Sequence, residues 1–232
     1  MFSLTVHIWP KEMHDSVLND IAKNLERTGW MKLHTNTTED FKELAFSLGT
    51  PIPSRTDGNL VDTLQPLEQN EAKTRSMSAV YGKGVLPFHT DLAHVKVPPR
   101  LVLLRAKIIE DNYPTHICRL QRLWNNDEAI LKLKRAVWFV NGGRGKFYTS
   151  IISQFHDFQF IRFDPCCMKP ALSSFIESYE FLMNLVVDSG YDEIIWNEGL
   201  TIIIDNWKSL HSRSDTSKLT RLRILERILV RV

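Results

Sequence analysis

The chain has 232 residues, of which 43% are hydrophobic and 24% charged, an ordinary globular composition that carries enough apolar surface to offset chain entropy and excludes wholesale disorder. With 29 basic against 27 acidic residues the net charge is +2, too weak a field to argue for a nucleic-acid or membrane partner. No stretch of about 18 apolar residues occurs and Met1 to Pro10 has no basic segment leading into an apolar run, so neither a spanning helix nor a secretory leader is expected.

One domain covering residues 1–232 is the expectation at this length. Cys118 and the neighbours Cys166 and Cys167 cannot all pair, and adjacent cysteines rarely bridge each other, so free thiols in a reducing, cytoplasmic setting are expected. The oligomeric state is not legible.

From Lys11 to Arg27 the apolar residues Val17, Ile21 and Leu25 recur every four positions and Gly29 follows, which predicts an amphipathic helix with a glycine stop. A second helix is predicted from Thr37 and Thr38. Thr37 and Asp40 have capping-box spacing, Phe41, Leu44, Ala45 and Leu48 form its apolar stripe, and Gly49 with Pro51 ends it. Ile52 to Gly84 is rich in turn formers and reads as loops with short strands. Within it, Pro53 to Ser78 is either a lid or an ordinary surface connection. β-rich segments follow at Arg100–Ile109, Ala136–Val140, Phe158–Phe163, Leu200–Asp205 and Leu222–Val232. Among them a helix is predicted from Pro170, at its first turn, to Asp188, with Phe175, Tyr179, Leu182 and Leu185 inward. Helices early and strands late disfavour a doubly wound parallel sheet and favour an antiparallel sandwich or barrel with helices packed outside, an α+β arrangement.

Three features carry possible chemistry. His89-Thr90-Asp91 can place an imidazole and a carboxylate on one face of an extended strand, where they can share an ion. Alone it means little, since 8 histidines and 27 acidic residues produce a His-x-Asp/Glu about once by chance. His211 lies beyond an apolar strand ending in Asp205-Asn-Trp207, at a strand end or rim, where a surface or capping role competes with metal ligation. The last strand puts Arg221, Arg223, Arg227 and Arg231 at odd positions, interrupted by Leu225 and Leu229. Its even positions are apolar except Glu226. The arginine face is either solvated or the wall of a polar pocket, where a guanidinium fork suits a carboxylate.

Taken together, Pro87-Phe-His-Thr-Asp91, Pro98-Pro-Arg100, Asp205-Asn-Trp-Lys-Ser-Leu-His-Ser-Arg213 and Arg223-Ile-Leu-Glu-Arg227 resemble the successive signatures of the taurine-dioxygenase-like (TauD/TfdA) family of Fe(II)/2-oxoglutarate oxygenases. Asp91 and His211 are 120 positions apart and His211 and Arg223 are 12 apart, in the family's order. The resemblance runs from about Gly29 to the C-terminus and is weakest between Asn125 and His156. It implies a double-stranded β-helix (jelly-roll, cupin-like) core with flanking helices. His89, Asp91 and His211 would then be the Fe(II) ligands, and Arg223 and Thr115 would contact the distal carboxylate of 2-oxoglutarate. Thr115 follows Asn112-Tyr-Pro114 in place of the family's usual Gly-Gly-x-Thr run, and His211-Ser-Arg213 replaces the commoner His-Gly-Arg.

Two imidazoles and one carboxylate on one face of an octahedral ion leave three positions, two for 2-oxoglutarate and one for O2. The implied reaction is hydroxylation of an unactivated carbon of a small acidic or amino-acid-like molecule with release of succinate and CO2, with desaturation and cyclisation as variants. Arg227 shares parity with Arg223 but lies about 13 Å further along the strand. A substrate anion, further support of 2-oxoglutarate and a solvated position are its three possible roles. A catalytically inactive jelly-roll binding module is the alternative from another class. A zinc hydrolase is a weaker rival, because His-x-His or a similar short spacing is absent.

Overall fold

The structure, a computed structural model, describes residues 11–74, 76–142 and 145–232. Helix α1 (Lys11–Thr28) leads to strand β1 (Trp30–His34), helix α2 (Thr38–Leu48) and strands β2 (Thr50–Ile52) and β3 (Asp62–Leu64). The short helix α3 (Met77–Tyr81) precedes β4 (Leu86–His89), β5 (Leu101–Ile109) and β6 (Thr115–Arg119). Helices α4 (Gln121–Trp124) and α5 (Asp127–Arg135) precede β7 (Val137–Gly142), β8 (Gly145–Ser150), β9 (Ile152–Phe155), β10 (Phe158–Ile161) and β11 (Met168–Pro170). Helix α6 (Ile176–Ser189) is followed by β12 (Asp192–Ile194), β13 (Leu200–Asp205), β14 (Ser209–Arg213) and β15 (Arg223–Arg231).

Two antiparallel sheets position the site. The larger runs β1-β13-β5-β15-β2, with β3 also on β15, and the smaller runs β12-β6-β14-β4. Their facing sides share one core, in which Val102, Leu104, Ala106, Ile202, Ile204, Leu225 and Leu229 of the large sheet meet Ile117 and Ile194 of the small one. The other face of the large sheet presents Leu101, Leu103, Ile203, Ile228 and Val230 to Ile21, Leu25, Phe41 and Leu44 of the two N-terminal helices. Strand alternation thus explains why β5 and β13 read as continuous apolar runs, since both of their faces are covered. Each buried Leu or Ile contributes roughly 1.5–3 kcal/mol to this sandwich.

The N-terminal helices follow the sequence signals closely. Thr37 caps α2 by accepting from the Asp40 amide, and the Asp40 carboxylate accepts from the Thr37 amide, a reciprocal capping box. Gly29 closes α1 with φ +76°, and a Cβ there would sit 2.4 Å from Ser209 Oγ, so the left-handed turn and the close approach of β14 both demand glycine. Glu226, the polar break in the even face of β15, is buried yet satisfied by Thr38 Oγ1 at 2.8 Å, Arg105 Nη1 at 2.9 Å and Lys107 Nζ at 3.2 Å. It pins the start of α2 to the large sheet.

Other expectations are revised. Pro170 is not in a helix; it ends β11, paired with Trp138 of β7, and α6 starts at Ile176 after a 3-10 turn. A fixed φ near −65° suits an edge-strand end as well as a first helical turn. Strands β4, β6, β12 and β14, which build the smaller sheet, and helix α5 lie outside the predicted segments. Ile52 to Gly84 carries a short strand as expected, β3, which joins it to β15, and in addition the short helix α3. Cys118 and Cys167 are buried and Cys166 half-buried, all as free thiols. No helix among the described residues is long and apolar enough to cross a membrane.

Candidate metal centre

The two histidines are brought together by register. His89 ends β4 and His211 occupies the middle of β14, and the two are direct Cα partners across the ladder with ring centroids 4.3 Å apart. His211 is therefore central to a strand and 6% exposed, not at a strand end or rim as its place in the sequence suggested. Asp91 lies beyond the end of β4, in a turn, so strand alternation is not what aims its carboxylate. Asn206 aims it instead, accepting from the Asp91 amide at 2.8 Å and donating to the Asp91 and Pro99 carbonyls at 3.1 and 2.9 Å. The Thr90 amide donates to the Phe163 carbonyl at 2.7 Å, and Leu92, just past the carboxylate, adopts φ +52°. Such a left-handed non-glycine residue costs of order 1–3 kcal/mol and persists because its surroundings over-determine it. Arg162, 1% exposed, adds to this by donating to the carbonyls of Ala93, Val95 and Lys96 in the loop that follows.

One ligand atom from each of His89, Asp91 and His211 falls within 4.8 Å of the others. The donor set fits a divalent transition metal. The His89 Nδ1 lies 2.8 Å from the Pro87 carbonyl, which assigns the proton to Nδ1 and leaves Nε2 a free lone pair. Asp91 Oδ2 is buried without a hydrogen-bond partner and lies 3.8 Å from His211 Nε2. Burial, and then the neighbouring His89, push the His211 imidazole down to about 3, so it is neutral, as a ligand must be. Burial opposes ionisation of Asp91, but Arg227 and the two histidines outweigh it and hold its carboxyl below the ordinary value.

The odd face of β15 points between the sheets, where Leu225 and Leu229 are packed residues spaced among the arginines, not interruptions of a polar pattern. Arg223 is 3% exposed; its Nε has no partner and its Nη2 meets only Thr115 Oγ1, at 3.5 Å. Burial, then the nearby Arg213, lower its pKa to about 10. Thr115 starts β6 opposite Arg213 and also accepts from Trp196 Nε1 at 3.1 Å. Arg213 donates to the Gly82 and Gly84 carbonyls at 2.8 and 2.7 Å, with its Nε unpartnered. Two buried guanidiniums and a hydroxyl thus converge with no anion among the described residues to balance them, an arrangement that favours a carboxylate.

Arg227 sits differently. Its Nη1 donates to Asp91 Oδ1 at 2.7 Å, while Nη2 and Nε donate to Asp62 Oδ2 at 2.9 and 3.2 Å. Asp62, Asn206 and the part played by Arg213 were missed in the sequence. Asp62 stands in a polar stretch, and only its pairing with β15 brings it to the site. Trp207 packs on Phe160 and donates to the Pro98 carbonyl at 3.0 Å, a core role. A surface cavity of about 390 Å³ lined by Val95, Pro98, Arg100, Phe155, Trp207 and Arg231 includes none of His89, Asp91 and His211. The three residues of the triad are instead buried, His89 and Asp91 at 7% and His211 at 6% exposure.

No family model matches the chain, and no curated protein matches it in sequence. Solved structures do. The asparagine oxygenase AsnO superposes with a TM-score of 0.74 at 16% identity, over 96% of this chain and 79% of that one. The non-haem iron oxygenase OrfP, in complex with Fe, succinate and (3S)-hydroxy-L-Arg, gives 0.72 at 18% identity over 96% and 81%. OrfP with Fe and alpha-ketoglutaric acid gives 0.72 at 19% identity over 96% and 80%. At these identities the likeness is one of fold. The fold is that of these non-haem iron oxygenase and asparagine oxygenase structures.

Proposed function

We propose that the chain is an Fe(II)- and 2-oxoglutarate-dependent dioxygenase, one domain with a double-stranded β-helix core, that hydroxylates a small amino-acid-like or acidic metabolite in the cytoplasm. The observation that carries this reading is the convergence of His89, Asp91 and His211, with the Asp91 Oδ2 buried and unpartnered, in a chain of this fold. Structures of the two neighbours hold L-Arg and 3-hydroxyasparagine, which supports an amino acid as the substrate class.

In this reading His89 Nε2, Asp91 Oδ2 and His211 Nε2 hold the metal. Iron with 2-oxoglutarate and O2 supplies, when bound, oxidative decarboxylation to succinate and CO2 coupled to oxygen insertion into a C–H bond. The protein's part is placement and exclusion of water. Arg223, with Thr115 and the nearby Arg213, receives the distal carboxylate and so fixes the cosubstrate by its far end. Asn206 and Arg162 keep the turn that carries Asp91 in one conformation. The apolar residues of the two facing sheets keep bulk water from the reacting centre.

The test is an anaerobic titration of the Fe(II) protein with 2-oxoglutarate, followed by its metal-to-ligand absorption band, and then a panel of amino acids and small carboxylates scored for stimulated succinate release. A band together with stimulation by a subset of the panel is expected. A band without stimulated turnover by any member would favour a binding module, and no band at all would overturn the reading.

A further inference from the structure

We propose that Arg227 is a positioning residue for the metal ligand Asp91, itself braced by Asp62, and that the acidic group of a substrate is not what it binds. The inference rests on the oxygenase reading above and adds how the carboxylate ligand is set.

Every nitrogen of the Arg227 guanidinium already has a carboxylate partner, Nη1 on Asp91 and Nη2 and Nε on Asp62. The side chain is 15% exposed, and those of Asp62 and Asp91 are 10% and 8% exposed. Asp62 is moreover the direct cross-strand partner of Arg227 in the β3–β15 ladder. Its carboxylate is therefore held by backbone register and not by a mobile side chain on a loop. Three of the five N–H donors are thus committed, one on each nitrogen, and a substrate anion that took the fork of Arg227 would have to expel either a carboxylate fixed by the sheet or the metal ligand itself. In both cases a buried carboxylate would be left without its counterion, which costs several kcal/mol.

The clamp also selects which oxygen of Asp91 is available. Oδ1 is taken by Arg227 at 2.7 Å, whereas Oδ2 has no partner and faces His211 Nε2 at 3.8 Å. Oδ2 is thus the oxygen of Asp91 left open to a metal, while Oδ1 is engaged by the guanidinium. A single donor from Asp91 with one from each histidine would leave an octahedral ion the three positions that a bidentate cosubstrate and O2 require. A carboxylate free to rotate could chelate through both oxygens and take one of them. Arg223, by contrast, is a buried cation on this strand with no counterion among the described residues.

The experiment compares wild type, Arg227→Gln, Arg227→Lys and Asp62→Asn by anaerobic titration with Fe(II) alone, then with 2-oxoglutarate, with thermal melts as a folding control. Arg227→Gln should weaken Fe(II) binding tenfold or more and shift or bleach the 2-oxoglutarate band. Arg227→Lys should recover part of both, and Asp62→Asn should show a smaller loss in the same direction. With the panel member that best stimulates succinate release, kcat at limiting Fe(II) should fall and recover at saturating Fe(II), with KM for that compound unchanged. Should Arg227→Gln fail to fold, Asp62→Asn decides. Wild-type Fe(II) and 2-oxoglutarate binding in the folded variants, with loss of substrate affinity, would overturn the proposal and make Arg227 a substrate anchor. A wild-type protein that binds neither Fe(II) nor 2-oxoglutarate would instead overturn the oxygenase reading itself.

Discussion

Arg223 and Arg227 lie on one strand, on one face, and four residues apart, yet their surroundings are opposite. Around Arg223 the space holds another guanidinium and a hydroxyl at 3.5 Å, with an unpartnered Nε. Around Arg227 two carboxylates take up all three nitrogens, and their attraction outweighs burial so that its pKa is raised, whereas that of Arg223 is lowered to about 10. A buried charge with no counterion is a cost the fold carries until a ligand arrives, while a buried charge with two counterions is part of the framework. The same residue type thus serves a binding role at one end of the site and a scaffolding role at the other.

The largest expected effect comes from the far end of the Arg227 clamp. Asp91→Ala and His211→Ala should each abolish turnover while leaving a folded protein, since loss of essential chemistry costs several decades. Retention of more than about a tenth of wild-type turnover in both would remove these residues from the centre.

Stability sharpens the comparison next. Arg227→Met leaves Asp62 and Asp91 buried without their cation, and in the metal-free protein this should cost about 3–5 kcal/mol in urea unfolding. Arg223→Met removes a cation that has no counterion, so its unfolding free energy should equal or exceed wild type. Equal destabilisation by the two would break the distinction. For function the ranking reverses on the cosubstrate side. Arg223→Lys gives up a bidentate fork and should raise the 2-oxoglutarate KM by roughly 10- to 150-fold, the equivalent of about 1.5–3 kcal/mol. An unchanged KM would hand the carboxylate to Arg213.

The pH dependence bears on the metal end of this comparison. His211 has a folded pKa of about 3 against 6.5 for the free group, because of burial and then His89. The unfolded chain therefore binds this proton first, and metal-free stability should fall as pH drops below 6.5 toward about 3, by at most about 1.4 kcal/mol per pH unit. Burial raises the Asp91 carboxyl, but Arg227, His211 and His89 lower it on balance. Its stabilisation is thus present above 3.8 and lost only below that value, as pH falls through the folded pKa. Thermal melts of His211→Gln against pH should be flatter than wild type in the upper window and parallel to it in the lower one. Identical profiles would mean that His211 is protonated in the folded protein.

How much of this could be read from the chain follows from what kind of signal each element carries. Helix α2 announces itself through local chemistry, Thr37 with Asp40, and β13 through six consecutive residues that end at Asp205, so both were legible. Helix α5 also had local signals, an Asn126 cap, Asp127 and Glu128 in its first turn and basic residues in its last, that would have found it. Strand β4 is only four residues long and contains Pro87, and β14 is short and mostly polar, which is why periodicity misses them. The histidines, Asp91 and Arg223 are visible as motifs because their spacing along the chain is constrained. Asp62 is invisible in that sense, since only the β3–β15 register places it opposite Arg227, 165 positions later.

The smallest expected effect belongs to Thr115, and it probes how the Arg223 end gains its selectivity. Its Oγ1 lies 3.5 Å from Arg223 Nη2, a long contact, and accepts from Trp196 Nε1 at 3.1 Å. With 2-oxoglutarate in place, the hydroxyl's own proton is free to be donated to the distal carboxylate while the oxygen continues to accept from Trp196. Thr115→Val keeps shape and removes one such bond, worth about 0.5–1.5 kcal/mol, so the 2-oxoglutarate KM should rise by roughly 2- to 12-fold. Thr115→Ser retains the hydroxyl and should stay close to wild type in KM. Neither change touches Asp62, Arg227 or Asp91, so Fe(II) affinity in the absence of 2-oxoglutarate should not move. A rise in KM shared by Thr115→Val and Thr115→Ser would trace the effect to packing beside Trp196, and a loss of Fe(II) affinity in Thr115→Val would mean that the two ends of the strand are coupled after all.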